Sequence, residues 1–320
     1  MDIEKVKKSL MVNKPKLTKN SIKTYIFILK GLYDSYILND KNKKFDNKEL
    51  NPLFLLDTKN VMRIIKSEEK LNTRKTQLSV CYTFIKCIYP NDKRADIYHE
   101  KMIELSKEYN EWLKSQEKTE TQTVNWITKE ELDNIVNELC KEVEEYKTLE
   151  SLTKEQYKNL QVYILLRLID TYSIRNEYSN LQMVNEKPEK KINYCLSKNS
   201  KYTIVLNIYK TKKYLGIREY VIPSNITSYI KLLLQFNKTG FLFSNIKNTD
   251  ALGSNGMTKL LTSFFKKKTG KNISSSMIRH IQATEDYKDE EPIRETERKD
   301  KEIENKYLHN SKQHRLYAKY

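Results

Sequence analysis

The sequence predicts a mainly α-helical protein with a small antiparallel β-sheet, divided into two parts. Three observations carry that reading. Apolar residues recur at steps of three and four through roughly the first 120 residues. A polar stretch with little apolar content follows at 115–125. Short β-branched and aromatic runs then interrupt a helical pattern between 191 and 222. With 320 residues, the chain is long enough for two domains that each bury a core.

Residues 21–38 place Ile22, Tyr25, Ile26, Leu29, Leu32, Tyr33 and Tyr36 on one helical face, with Thr18, Asn20 or Ser21 able to cap its start. Asp57-Thr58 opens a second helix around Val61, Ile64 and Ile65. Asn72-Thr73 opens a third, through Leu78, Cys81, Tyr82, Ile85 and Ile88, that stops at Tyr89-Pro90. A fourth spans 97–112, so residues 1–114 form a helical bundle. The stretch 115–125, rich in Gln, Glu, Lys and Thr, reads as a linker.

Beyond it, residues 126–320 form a mixed α and β domain. Thr128 starts a helix with capping-box spacing to Glu131. Residues 153–172 form another, with Tyr157, Leu160, Ile164, Leu165, Leu168 and Ile169 inward. Strands are expected at 191–196, 201–209 and 218–222, the last two flanking a turn at Lys212-Lys213-Tyr214-Leu215-Gly216. Helices resume at Ile226, at Met257 and at Ser274 or Ser275, and the charge run 285–306 reads as a solvated face or loop.

Lys+Arg number 59 and Asp+Glu 42, a net charge of +17 that attracts polyanions. A+T-rich coding drift would scatter lysines along the chain. Instead, residues 186–271 hold 17 Lys/Arg against 4 Asp/Glu, which points to a surface facing nucleic acid. Cys81, Cys87, Cys140 and Cys195 form no C-x-x-C pair and have no histidine at ligand spacing, so neither a zinc site nor a disulfide framework is expected. No apolar run approaches the ~18 residues of a membrane-spanning helix, and the N-terminus has no apolar signal core. The expected setting is intracellular and away from membranes, in a nucleus, cytoplasm or viral compartment.

Five boxes carry the chemistry. They are Asp170-Thr171-Tyr172-Ser173-Ile174-Arg175-Asn176-Glu177-Tyr178-Ser179-Asn180-Leu181; Tyr209-Lys210-Thr211-Lys212-Lys213; Gly240-Phe241-Leu242-Phe243; Ser276-Met277-Ile278-Arg279-His280; and His309-Asn310-Ser311 followed by Tyr317. In this order and spacing, residues 160–320 resemble the catalytic domain of tyrosine recombinases, the phage-type integrases. Local wording is closest to members from large DNA viruses, virophages and related mobile elements. The helical first part matches the family's core-binding (SAM-like) DNA-binding domain in size and order.

The resemblance implies roles. Arg175 and Arg279 are the family's two arginines, whose planar guanidinium can hold two phosphate oxygens at once. Lys210, with Lys212 and Lys213 as competitors or phosphate contacts, is the lysine that protonates the departing 5′-oxygen. Ser274 to Ser276 can cap the helix of Arg279 and place that arginine in its first turn. Ser276 stands where the family's commonest pattern, His-x-x-Arg-His, has its first histidine. A serine can donate to phosphate but is no base at neutral pH. His280 keeps the second histidine, in a more structural role beside DNA.

His309 matches the Gly-His-Ser box with Leu308 in place of Gly and would hydrogen-bond a nonbridging oxygen. Tyr317 is the expected nucleophile, with Tyr320 its rival. Eight residues of unbroken helix would separate His309 from Tyr317 by ~12 Å and ~80°, so a break at Asn310 or Ser311 is expected.

The implied activity is site-specific recombination through a 3′-phosphotyrosine, without metal or cofactor, on double-stranded DNA. The protein would be a monomer when free and a homotetramer on synapsed DNA. A virus-encoded member would work in the host nucleus, cytoplasm or viral factory. Type IB topoisomerase-like cleavage without synapsis, and a DNA-binding protein that has lost catalysis, are the alternatives.

Overall fold

The computed structural model describes residues 3–15, 17–38, 51–114, 116–289 and 306. The chain divides into two compact units, Met1–Ser115 and Gln116–Tyr320.

The first unit is helical: α1 (Ile3–Asn13), α2 (Lys19–Leu38), α3 (Thr58–Lys66), α4 (Leu71–Ile88) and α5 (Arg94–Lys114), with a 3₁₀ turn at Pro52–Leu56. Thr18 caps α2, its Oγ1 accepting from the Ser21 amide at 3.1 Å. Asp57 caps α3, accepting from the Asn60 amide at 3.2 Å, and its other oxygen accepts from the Tyr36 hydroxyl at 3.0 Å. Leu29, Leu55, Leu78, Phe84, Ile85 and Tyr98 are fully buried in one apolar cluster. Tyr98 satisfies its hydroxyl there by donating to the Leu55 carbonyl at 2.8 Å. The helix α1 and the 3₁₀ turn are additions to the four expected helices.

In the second unit, α6 (Glu120–Asn125) lies inside the stretch read as a linker. Thr119 and Gln122 form a capping box around its first turn, and Asn125 Oδ1 accepts from the Asn272 amide at 2.7 Å. The polarity that suggested a linker is therefore helix capping, and residues 119–125 belong to the second unit. Next come α7 (Lys129–Glu145) and α8 (Lys154–Tyr172), opened by capping boxes at Thr128 and Thr153.

Helix α8 is the centre of the unit, buried nearly all round from Tyr157 to Ile169, with α7, α10 (Ser224–Phe236), α11 (Ser254–Thr269) and α12 (Ser275–Asp286) packed on it. Leu160, Ile164, Leu165, Leu168 and Ile169 are each 0% exposed. Truncating one such leucine to alanine costs about 2–5 kcal/mol.

The sheet has four strands in the order β1 (Gln182–Val184), β2 (Tyr194–Lys198), β3 (Lys201–Leu206) and β4 (Arg218–Val221). It is mixed rather than antiparallel. β2–β3 and β3–β4 are antiparallel, with Cys195 opposite Ile204 and Ile204 opposite Tyr220, but β1 runs parallel to β2. Only three residues long, β1 is too short to show an alternating pattern. The Gly240-Phe241-Leu242-Phe243 box explains its place. The Gly240 carbonyl accepts from the Met183 amide at 2.8 Å, and the Leu242 amide donates to the Leu181 carbonyl at 2.8 Å. Leu242 and Phe243 are fully buried, so this box anchors the end of the first arginine box.

β2 and β3 are shorter than expected because two asparagines leave the ladder. Asn193 Oδ1 accepts from the amides of Asn207 and Ile208, at 2.9 and 2.7 Å, and its Nδ2 donates to the Ile208 carbonyl at 2.7 Å. Asn207 Nδ2 donates to the Ile192 carbonyl at 2.7 Å. A short helix, α9 (Lys212–Leu215), fills the tip between β3 and β4.

Candidate active site

The segment after α8 creates the site. Ser173 adopts a left-handed conformation (φ 46°, ψ 30°), which ends the helix three residues after Asp170 and two before Arg175. Arg175 is thus extended and outside the helix, and it precedes a 3₁₀ turn at Asn176–Asn180. Tyr178, fully buried, holds that turn by donating to the Leu168 carbonyl at 2.8 Å.

On the other side, Ser274 caps α12, its Oγ accepting from the Met277 amide at 3.4 Å. With Ser275 as the first helical residue, Arg279 falls in the second turn rather than the first. Only 4% of Arg279 is exposed, whereas Arg175 is half-buried.

These two segments wall an open cleft of about 800 Å³. Arg175, Asn176, Glu177, Ser274, Ser275, Ser276 and Arg279 line it, together with Ser254 and Thr258 of α11 and Asn193 and Ile208 of the sheet. Two arginines therefore line one cavity from elements far apart in the chain. The α12 N-terminus adds backbone N–H groups of the same sign. Such a lining suits an anion with several oxygens.

The three serines have separate tasks. Ser274 caps the helix, Ser275 donates to Asn176 Oδ1 at 2.6 Å, and Ser276 is exposed on the cleft wall. Glu177 also lines the cleft, and its buried Oε2 has no hydrogen-bond partner among the described residues. It partly offsets the arginines' charge.

Lys210 does not line this cleft. It is exposed in the turn after β3, two residues past Ile208, which does. Lys212 and Lys213 lie in α9, half-buried and exposed respectively. This tip is closed by Tyr209, whose hydroxyl donates to the Gly216 carbonyl at 2.7 Å. His280 is half-buried and outside the lining, and its carbonyl accepts from the Thr284 hydroxyl at 2.9 Å. His309, Tyr317 and Tyr320 lie outside the described residues.

No tyrosine among the described residues lines the cleft. Three pack nearby. Burial pushes the hydroxyl pKa values of Tyr178, Tyr209 and Tyr220 above the ordinary tyrosine range, with Arg218 opposing the rise at Tyr209 and Tyr220. These phenols are neutral packing groups. Among the described residues no cluster of three or more His, Cys, Asp or Glu side chains has the arrangement of a metal site. No described helix is long and apolar enough to cross a membrane. Cys81, Cys87 and Cys195 are buried free thiols, and Cys140 is a half-buried one.

Three lining residues, Asn176, Ser254 and Thr258, carry no functional signal of their own in the sequence. Asn176 was visible only as the neighbour of Arg175, and the others only as small polar residues near helix starts.

No protein-family profile matches the chain, and no curated protein matches it in sequence. Among solved structures, the chain is similar to the crystal structure of XerA recombinase, at 11% sequence identity and a TM-score of 0.40. That comparison covers 99% of this chain and 92% of the other. At this distance the likeness transfers no residue roles.

Proposed function

We propose that this protein is a tyrosine-type site-specific DNA recombinase. The observation that supports the reading best is the meeting of Arg175 and Arg279 in one cleft beside the N-terminus of α12. In this reading a DNA phosphate lies in the cleft, with its nonbridging oxygens on the two guanidiniums, the Ser276 hydroxyl and His309. The Tyr317 hydroxyl attacks phosphorus and loses its proton to water, since Ser276 cannot take it. The Tyr317 Oη–P bond forms as the P–O5′ bond breaks, and Lys210 Nζ gives its proton to the departing 5′-oxygen.

Both arginines act on charge that grows in the pentacoordinate transition state. The bond energy retained in the 3′-phosphotyrosine lets a second 5′-hydroxyl attack and reseal. The duplex is held by the basic stretch 186–271 and by the helical first unit, with four protomers joining two duplexes.

A pool of nicked duplexes with randomised sequence tests this. A nick beside the cleavage site lets the short fragment bearing the new 5′-hydroxyl diffuse away and so traps the covalent complex, which survives denaturing electrophoresis and can be sequenced. Wild-type chain should be trapped on a defined sequence, and Tyr317→Phe should trap nothing while binding duplex normally. Trapping that survives Tyr317→Phe and is lost with Tyr320→Phe moves the nucleophile to Tyr320. Relaxation of supercoiled DNA without strand exchange between two duplexes indicates a topoisomerase. Duplex binding without any trapping indicates a protein that only binds.

A further inference from the structure

Asn176 joins three elements through one amide. Its Oδ1 accepts from Ser275 Oγ at 2.6 Å, at the first position of α12. Its Nδ2 faces Ser254 Oγ at 3.0 Å, Thr258 Oγ1 at 3.3 Å and the Ser254 carbonyl at 3.4 Å, all in the first turns of α11. The backbone is fixed as well: Ser179 Oγ donates to the Asn176 carbonyl at 2.6 Å, and the Ser179 carbonyl accepts from the Gly253 amide at 3.1 Å. An amide is the side chain that offers donors and an acceptor on opposite edges. Aspartate cannot donate to Ser254 or Thr258, and alanine does neither task. Asn176 is also the residue directly after Arg175, so its position sets where the Arg175 backbone stands relative to α12, which carries Arg279.

We propose that Asn176 is a positioning residue, which locks the starts of α11 and α12 to the Arg175 segment and so sets the spacing of the two arginines on the phosphate. The proposal rests on the recombinase reading above and adds a residue to it. Asn176 is not required to touch DNA. It acts through the guanidiniums, so its loss affects the transition state more than the bound ground state.

The test uses the full chain and the nicked duplex selected from the randomised pool, with trapping rate at saturating DNA, duplex affinity and urea midpoint measured together. Asn176→Ala should slow trapping by about tenfold to a hundredfold, the scale of a small misplacement of a catalytic group. Duplex affinity should stay within about twofold, because the phosphate contacts remain. Asn176→Asp, which keeps the acceptor for Ser275 but loses the donors, should be slow as well. Ser275→Ala should slow trapping in the wild-type background and cost little more in the Asn176→Ala background, since both act through one link.

The proposal is overturned if Asn176→Ala traps at the wild-type rate. It is equally overturned if rate, affinity and midpoint fall in step, or if the Ser275 and Asn176 effects simply multiply. A wild-type chain that traps no DNA removes the recombinase reading and this role with it. A wild-type chain that traps, beside an unaffected Asn176→Ala, removes this role alone.

Discussion

Ser173 Oγ donates to Gln282 Oε1 at 2.7 Å, and both residues are almost wholly buried, at 0% and 2% exposure. This bond ties the end of α8 to α12 one turn beyond Arg279. Gln282 Nε2 continues the link to Asp170 at 3.3 Å, and Ser173 Oγ also lies 3.1 Å from the Ile169 carbonyl. The two segments that carry the cleft arginines are therefore joined behind the cleft by a polar contact inside an apolar core. Ser173→Ala removes the donor and leaves the Gln282 carbonyl oxygen buried without it. The second unit should lose about 1–3 kcal/mol, read as a lower urea midpoint for its unfolding transition. An unchanged midpoint would show that the glutamine finds another donor.

The fold was legible where one local signal sufficed. The capping-box spacing of Thr128 and Glu131 marked the start of α7, and the apolar steps from Tyr157 to Ile169 marked α8. Ser274 to Ser276 marked the start of α12 in the same way. What stayed hidden depends on partners far along the chain. Strand β1 is defined by residues 194–196 and by the Gly240 carbonyl, not by a pattern of its own. Asn176 gains its importance from Ser254, Thr258 and Ser275, none of them within reach of any periodicity. The linker reading failed because Thr119, Gln122 and Asn125 are polar for capping and tertiary hydrogen bonds rather than for solvation.

Arg175→Lys and Arg279→Lys test the guanidinium fork. Each keeps a positive charge but loses the paired donors, so trapping of nicked duplex should slow by about a hundredfold or more, the scale of one lost transition-state donor. The burial of Arg279 separates the two. A lysine there leaves unfilled space and exchanges a weakly hydrated cation for a strongly hydrated one, so Arg279→Lys should also lower the urea midpoint. Arg175→Lys, at a half-buried position, should not. Wild-type trapping rates for both variants would place phosphate chemistry elsewhere.

Ser276→His probes the position where the proposed recombinase reading expects a histidine. Because Ser274 rather than Ser276 caps α12, and Ser276 is exposed on the cleft wall, the imidazole can be added without removing a cap or a buried contact. Its ring nitrogen would supply a base near neutral pH. Trapping should therefore be unchanged or faster, with any gain disappearing as the pH falls below the histidine pKa of about 6.5. A steep loss of rate at an unchanged urea midpoint would mean that the cleft requires a small hydroxyl at this position.

Fragments of the chain separate what each unit contributes to holding DNA. A fragment of residues 116–320 keeps α6 with its capping box and its bond to the Asn272 amide, as well as the whole cluster around α8, so it should fold by itself. A fragment starting at Gln122 would cut into α6 and lose the Thr119 cap, and should unfold at lower urea. The 116–320 fragment retains the basic stretch 186–271 but none of the lysines of the first unit. If both units grip the backbone, it should bind duplex far more weakly than the full chain. Its affinity should also fall less steeply with salt, because each phosphate no longer neutralised removes about 0.9 from the slope of log affinity against log salt. Equal affinity and equal slope for fragment and full chain would show that the helical first unit does not hold DNA, and its task would then have to be sought among protein partners.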